Sequence, residues 1–220
     1  ASLLRLQREY NQAVEMARRA GSIAAETVYP KGVAGAHRVC GIVNYLRSDL
    51  DAALDEFNAA LAIDREQSDR KAEAAGLANI GAVYYLRGDY DQALPFLREG
   101  IEISRAIGDL VAEAQLLNNM ANIHERRGED QEALADYERG LEIYRSVGGR
   151  AGETTLLNNI GNLFSRRSDR PSHQRALSLF RESLAIARES ELVNSETRAL
   201  LGIGRLTLAL GINLTEAGEH

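Results

Sequence analysis

The stretch LANIGAVYYLRGDYDQAL, residues 77–94, decides the fold because the chain contains it again in altered form. LNNMANIHERRGEDQEAL at 117–134 and LNNIGNLFSRRSD at 157–169 follow it at intervals of forty residues. A fixed period of this length is typical of an array of stacked repeats rather than of one globular core. Each unit of such an array buries its apolar face only against its neighbours. We therefore expect long surfaces that suit partners better than they suit chemistry.

Each repeat unit reads as two helices. In the second full unit Leu77, Ile80 and Tyr84 recur at three- and four-residue spacing, which places them on one helix face. The Gly-Asp pair that follows is typical of a helix C-terminus and the N-cap of the next helix. The pattern predicts a helix A over roughly 71–87 and a helix B over about 90–107.

Small and bulky residues recur in fixed columns of the repeat. Because a glycine inside a helix costs roughly 1 kcal/mol relative to alanine, its recurrence indicates a place where two helix backbones approach closely. The columns are Gly41, Gly81, Ala121 and Gly161 in helix A; Ser48, Gly88, Gly128 and Ser168 at the turn; Ala53, Ala93, Ala133 and Ala176 early in helix B; and Phe57, Leu97, Tyr137 and Phe180 one turn further.

These columns resemble the tetratricopeptide repeat, in the long form of kinesin light chain, spindle-orientation adaptors and many bacterial regulators. A HEAT array shares the period but not the Gly…Tyr…Gly-Asp-Tyr…Ala-Leu string of residues 81–94. The resemblance covers nearly the whole chain. It implies an all-α, right-handed superhelical solenoid of antiparallel helix pairs, with about nine helices. It also implies a scaffold without enzymatic activity that binds a protein or peptide in its concave groove.

The repeat boundaries predict one array over 1–220 that is truncated at both ends. Residues 9–13 match 89–93 at an offset of eighty, so Ala1 would lie in the middle of a helix A, and Gly211 would occupy the turn column. Arg170-Pro171-Ser172 is expected to lengthen the loop between helices A and B of the fourth unit. The units are a partial repeat at 1–30, full repeats at 31–70, 71–110, 111–150 and 151–192, and a partial repeat at 193–220.

Asparagine recurs inside helix A, although it is a poor helix former. An amide offers both a donor and an acceptor, and the resemblance implies that such a ladder binds the backbone of a peptide. Alternatively, the middle column of Asn79, Asn119 and Asn159 bonds to the adjacent repeat. Arg126 and Arg166, one turn further, would favour an acidic partner unless they are simply solvated near a helix C-terminus. The candidate peptide-binding residues are Asn79, Asn118, Asn119, Asn122, Asn158, Asn159, Asn162, Arg126 and Arg166.

Motifs for catalysis, for a cofactor and for a metal are not visible in the sequence. Lys31 and Lys71 follow Pro30 and Arg70 where a phosphate-binding loop needs glycine, and Gly128 stands where a zinc motif starting at His124 needs its second histidine. His124 and His37 occupy columns of core residues and are expected to pack there. We therefore predict that the chain is not an enzyme and has no cofactor.

Composition and charge limit the classes of function that remain. A net charge of −6 argues against non-specific binding to nucleic acid, which needs a basic surface. Cys40 is the sole cysteine and lies in an apolar column, so we expect it in the core of a cytoplasmic protein. No apolar run reaches the ~18 residues of a membrane span. Two other functions stay open: a ligand-sensing regulatory domain of a larger bacterial protein, and a module that associates with itself end to end.

Overall fold

The computed structural model describes residues 2–210, and within them the chain is all-α, with no strand. Ten helices lie in this range rather than about nine, because each terminal partial unit adds one helix to the eight of the four full units. Both helices of the second unit lie within one residue of their predicted bounds. The helices are α1 (Ser2–Glu26), α2 (Pro30–Leu46), α3 (Leu50–Glu66), α4 (Arg70–Arg87), α5 (Tyr90–Ala106), α6 (Leu110–Arg127), α7 (Asp130–Ser146), α8 (Arg150–Ser165), α9 (Arg170–Glu189) and α10 (Val193–Leu210).

Contacts divide the chain into two compact units, one ending at Ala112 and the other beginning at Glu113. In unit 1, α2 packs on α1 and α3, while α4 packs on α3 and α5. In unit 2, α8 packs on α7, α9 and α10. Helices α2, α4, α6, α8 and α10 are the A helices of the repeats. The contact between α8 and α10 therefore brings two successive A helices side by side.

Helix ends follow a period of twenty residues, half the repeat. Gly88 caps α4 in the left-handed region with φ of 83°, and Ser48 and Ser68 adopt the same region at 62° and 52°. An acidic residue follows each serine, and Asp69 accepts a hydrogen bond from the backbone nitrogen of Ala72 at 3.2 Å. The left-handed positions in this series are Val28, Ser48, Ser68, Gly88, Gly108, Gly128 and Gly148.

The predicted packing of small residues on bulky ones is confirmed. A Cβ atom at Gly81 would lie 2.6 Å from Cδ2 of Leu97, and one at Gly161 would lie 2.7 Å from the ring of Phe180. Both bulky side chains are buried, and so is Cys40. These glycines are therefore sites of close helix approach, and Cys40 belongs to the core as expected.

Ion pairs around a buried glutamate form a second repeating contact, which the sequence analysis missed. Nε of Arg65 donates to Glu73 at 3.0 Å, and Nη2 of the same arginine donates to Glu99 at 2.6 Å. Glu73 is only 3% exposed, and Arg70 also donates to it at 2.6 Å, so two arginines compensate the charge of its carboxylate. The arrangement recurs in unit 2 at Arg145, Glu153 and Glu182.

The start of the chain differs from the expectation. Helix α1 runs without a break from Ser2 to Glu26, so no turn separates Arg8 from Glu9. A separate half of a helix A is therefore not present there, because the sequence at this point has no glycine to end a helix. Ala1 and Gly211, which were placed in the glycine and turn columns, lie outside the described residues.

The three extra residues of the fourth unit lengthen a helix and not only a loop. Helix α9 begins at Arg170, has Pro171 in its first turn, and contains 20 residues where α3, α5 and α7 contain 17. Proline is favourable in a first helical turn because no intrahelical partner is needed for its missing N–H. Asp169 caps the added turn by accepting from the backbone nitrogen of Ser172 at 2.8 Å.

Candidate peptide-binding face

Asparagines of α6 and α8 lie close together on the A helices of unit 2. We call Asn118, Asn122, Asn159 and Asn162 the asparagine face, since all four side chains are partly exposed. Asn79 lies on α4 in unit 1 and does not belong to this face.

Asn159 connects three successive A helices. Its Nδ2 donates to Oδ1 of Asn118 on α6 at 2.8 Å. Its Oδ1 accepts from Nη2 of Arg198 on α10, also at 2.8 Å. Both polar atoms of this amide are thus used inside the chain, as the alternative interpretation of the middle column required.

The other three amides of the face use only their oxygens. Oδ1 of Asn122 accepts from the hydroxyl of Tyr137 at 2.6 Å, and Oδ1 of Asn162 accepts from Nη2 of Arg205 at 2.9 Å. The Nδ2 atoms of Asn118, Asn122 and Asn162 have no hydrogen-bond partner among residues 2–210. Because an Nδ2 group carries two N–H donors, the face presents donors and has its acceptors occupied.

The remaining asparagines differ in environment. Asn158, which was expected to line the groove, is 1% exposed, and neither of its side-chain polar atoms has a partner in the described structure. Asn119 is half-buried on α6, like Asn79 on α4. The side chain of Asn158 therefore cannot contact a ligand in this arrangement.

The two predicted arginines are already engaged. Nη1 of Arg166 lies 2.7 Å from Oε1 of Glu125, and its Nη2 lies 3.7 Å from Asp130. The hydroxyl of Tyr137, which contacts Asn122, also lies 2.9 Å from Oε2 of Glu125, so its one proton is shared between the two oxygens. Arg126 is exposed and interacts with another group of the chain. The charge of Arg166 is thus largely compensated within unit 2.

His124 is largely buried as expected, His37 is more exposed than expected, and both contact carboxylates. Nδ1 of His124 lies 2.5 Å from Glu129, and its Nε2 lies 3.7 Å from Asp136. Only 12% of this side chain is exposed. The hydrogen bond from His124 lowers the pKa of Glu129 below its ordinary value. His37 is 36% exposed, and its Nδ1 lies 2.6 Å from Glu56. Periodicity could not reveal these carboxylate partners, because they come from other turns and helices.

A cleft of about 250 Å³ lies in unit 1 where α1 meets α2 and α3. Cys40 lines it, and burial raises the pKa of this thiol. The lining residues are Arg18, Gly21, Val33, Ala36, His37, Cys40 and Glu56.

Two further properties concern the described part of the chain. No helix between residues 2 and 210 is long and apolar enough to cross a membrane. In the same range, no three His, Cys, Asp or Glu side chains come together in a way that could hold a metal ion.

Comparison with known proteins assigns the family. A family model described as tetratricopeptide repeat matches residues 32–106 and 112–189, which is more than half of the chain. The chain belongs to the tetratricopeptide repeat family, as the columns indicated. None of the curated proteins compared with the chain matches it.

Solved structures share the fold at low sequence identity. BtubC (BKLC) from P. vanneervenii is 20% identical with a TM-score of 0.65, over 100% of this chain and 94% of that one. A kinesin light chain from Podosopora anserina with nearly identical repeats is 15% identical with a TM-score of 0.66, over 86% and 90%. Aspartyl phosphate phosphatase F from Bacillus subtilis is 14% identical with a TM-score of 0.66, over 98% of this chain and 58% of that one. Identities this low support a common fold only.

Proposed function

We propose that the asparagine face binds a peptide segment of a partner protein. The observation that carries this proposal is that three side-chain NH₂ groups of the face have no partner in the described structure, while their amide oxygens are bonded inside the chain. An extended peptide offers a carbonyl acceptor at every residue. Donors fixed at successive A helices can therefore bind a backbone whatever its side chains are.

An acidic segment fits this face best. The part of α8 that carries Asn159 and Asn162 has no carboxylate, because residues 154–165 contain no Asp or Glu, and Glu125 on α6 is paired with Arg166. Donors without competing carboxylates favour acceptors that carry negative charge. The net charge of −6 does not oppose this strongly, since charges more than about 8 Å away are largely screened at physiological salt.

We propose that the chain acts by binding alone. The asparagine face consists of amides, and its neighbours on α10 are arginines, neither of which changes protonation near neutral pH. General acid–base catalysis at neutral pH uses groups that do titrate there. The phosphatase name belongs to the Bacillus subtilis neighbour and is not transferred to this chain.

A display library of random peptides about twelve residues long tests the proposal with the 220-residue chain immobilised. We expect enrichment of peptides rich in Asp and Glu. The Asn122→Ala/Asn162→Ala variant should weaken the selected peptides by about two- to tenfold for each lost hydrogen bond. Gln174→Ala, which removes an exposed amide from α9, is the matched control and should leave affinity unchanged.

Equal affinity of the folded double variant and the wild type would show that the asparagine face is not the binding site. A library that yields no enriched peptide would contradict the proposal that the chain binds peptides.

Ligand sensing is a second candidate, favoured by the cleft in unit 1. At about 250 Å³ the cleft is smaller than the ~300–1,000 Å³ typical of ligand pockets, so only a small ligand would fit. Arg18 at its edge would favour an anion. A thermal-shift screen of small organic acids, compared between the wild type and Arg18→Gln, tests this function. Stabilisation of both variants to the same extent, or of neither, would count against it.

A further inference from the structure

Two arginines on α10 are held by amides instead of carboxylates. Arg198 donates to Oδ1 of Asn159 at 2.8 Å, and Arg205 donates to Oδ1 of Asn162 at 2.9 Å. We propose that Arg198 and Arg205 bind two carboxylates of an acidic peptide and that the two asparagines position them. This inference rests on the proposed function and adds to it the residues that recognise charge.

The charge of these two guanidinium groups is not compensated within the described structure. Neither arginine forms an ion pair with any residue between 2 and 210. By contrast, Arg188 pairs with Glu196 at 2.9 Å, and Arg166 pairs with Glu125. Uncompensated exposed cations beside one another are favourable partners for an anion.

The stretches of α8 and α10 that carry the two asparagines and the two arginines contain no carboxylate. Residues 197–210 of α10 include no Asp or Glu, and the same holds for 154–165 of α8. Glu153, the acidic residue just before the second range, is 4% exposed and already accepts from Arg145. Glu196, just before the first range, accepts from Arg188. On these two stretches an incoming carboxylate would therefore meet guanidinium and amide donors that no carboxylate of the same stretches occupies.

The spacing of the two arginines specifies the partner. Seven residues on one helix correspond to two turns, or about 10.5 Å along the axis. A peptide in the polyproline II conformation advances about 3.1 Å per residue with three residues per turn, so side chains three residues apart lie on the same side, about 9 Å from each other. The partner we infer is a polyproline II segment with two Asp or Glu residues at positions i and i+3.

The choice of asparagine under each arginine matters for this role. An amide oxygen orients a guanidinium group while leaving its net charge intact, whereas a carboxylate would orient and neutralise it. A guanidinium group has five N–H donors. Arg198 and Arg205 each use one nitrogen in the contact with an asparagine. The remaining donors are sufficient for a carboxylate.

Fluorescence anisotropy with two labelled peptides of about twelve residues tests the inference. One carries two glutamates three residues apart in an uncharged background, and the other carries glutamine at those positions. We expect the 220-residue chain to bind the glutamate peptide at least about tenfold more tightly. Arg198→Gln and Arg205→Gln should each weaken that binding about tenfold and flatten its dependence on salt. Arg175→Gln, which removes an exposed arginine from the B helix α9, is the control and should stay within about twofold of wild type.

Asn162→Asp separates positioning from a structural role. The substitution keeps the shape and the hydrogen bond to Arg205 but neutralises the guanidinium group, so affinity for the glutamate peptide should fall about tenfold. The melting temperature should not fall, because the contact with Arg205 becomes an ion pair. A structural role alone would leave affinity unchanged in this variant.

The inference is overturned if the wild type does not prefer the glutamate peptide. It is also overturned if both arginine variants bind that peptide within about twofold of wild type. The proposed function would survive either result if library-selected peptides still lose affinity with Asn122→Ala, a residue that does not contact α10 arginines. If those selected peptides are also unaffected, the proposed function fails independently.

Discussion

Neighbouring residues of one type can have different roles on a single helix. Asn158 and Asn159 are adjacent on α8, yet the first is buried without a partner and the second joins α6 to α10. The sequence predicted that asparagines recur on helix A, since that needs only the forty-residue period. It could not predict the hydrogen bonds of Asn159 with residues 41 positions before it and 39 positions after it, because these depend on how the helices stack.

The orphaned amide of Asn158 should reduce stability. A buried polar group without a partner costs about 1–3 kcal/mol, and leucine has a similar shape without that cost. We expect Asn158→Leu to raise the free energy of unfolding by about 1 kcal/mol in urea denaturation, without changing peptide affinity. A clear loss of stability would mean that the amide has a hydrogen-bond partner in solution.

Gly81 should tolerate no large side chain. A Cβ atom there already lies 2.6 Å from Leu97, so Gly81→Leu should destabilise the fold by roughly 2–4 kcal/mol through overpacking. Gly35→Ala is the control, since a Cβ at Gly35 meets no atom within 4 Å and alanine favours helix. Melting temperatures of the two variants compare these effects. An unchanged melting temperature of Gly81→Leu would show that this column is not a packing contact.

At the level of helices, caps and ion pairs differ in how well the sequence reveals them. The turn columns gave the helix ends to within a residue in the second unit, because glycine and aspartate act locally there. The pairing of Arg65 with Glu73 and Glu99 was missed, since each partner lies on a different helix. Local chemistry is therefore visible in a sequence, whereas pairings between helices need the packing.

The aspartate caps should make stability depend on acid pH. The pKa of Asp69 is lowered, chiefly by the hydrogen bond from Lys31, and that of Asp109 by the backbone N–H of Ala112. Because each folded-state pKa lies below the unfolded value of 3.8, the stabilisation is present above about pH 4 and is lost as pH falls through the folded values. Urea denaturation between about pH 6 and pH 2.5 should show this decrease.

Asp109→Asn supplies the control for the acid transition. Asparagine is also a good N-cap but does not titrate, so this variant should lose less stability between the two pH values than the wild type. An identical decrease in both proteins would exclude Asp109 as a contributor.

At the level of the whole chain, the family could be predicted from the repeat, and the binding residues only in part. The forty-residue columns were sufficient for the tetratricopeptide assignment, which the family match confirms. Arg198 was not among the predicted site residues, because the equivalent positions of the other repeats hold no arginine. Its importance depends on the absence of carboxylates around it in the described structure, which only the packing shows.

The exposed face of α10 should promote self-association. Leu201 and Leu208 are 62% and 80% exposed, and a Cβ at Gly204 would meet no atom of the described residues within 4 Å. The glycines of this column in the first, second and fourth units instead face Phe57, Leu97 and Phe180 of the next helix B. We expect sedimentation equilibrium to give a mass that rises with concentration, and Leu201→Glu/Leu208→Glu to remain monomeric. A wild type that stays monomeric at the highest concentrations would contradict this expectation.

The central claim is that the donors of the asparagine face bind an acidic peptide, and nuclear magnetic resonance tests it most directly. In the ¹⁵N-labelled chain, the side-chain NH₂ resonances of Asn118, Asn122 and Asn162 should shift on titration with the glutamate peptide, since these groups lack partners in the described structure. The side-chain NH₂ resonance of Gln174 on α9 should not move. Saturable binding that leaves the three asparagine resonances unchanged, or that shifts only residues of the B helices, would contradict the claim.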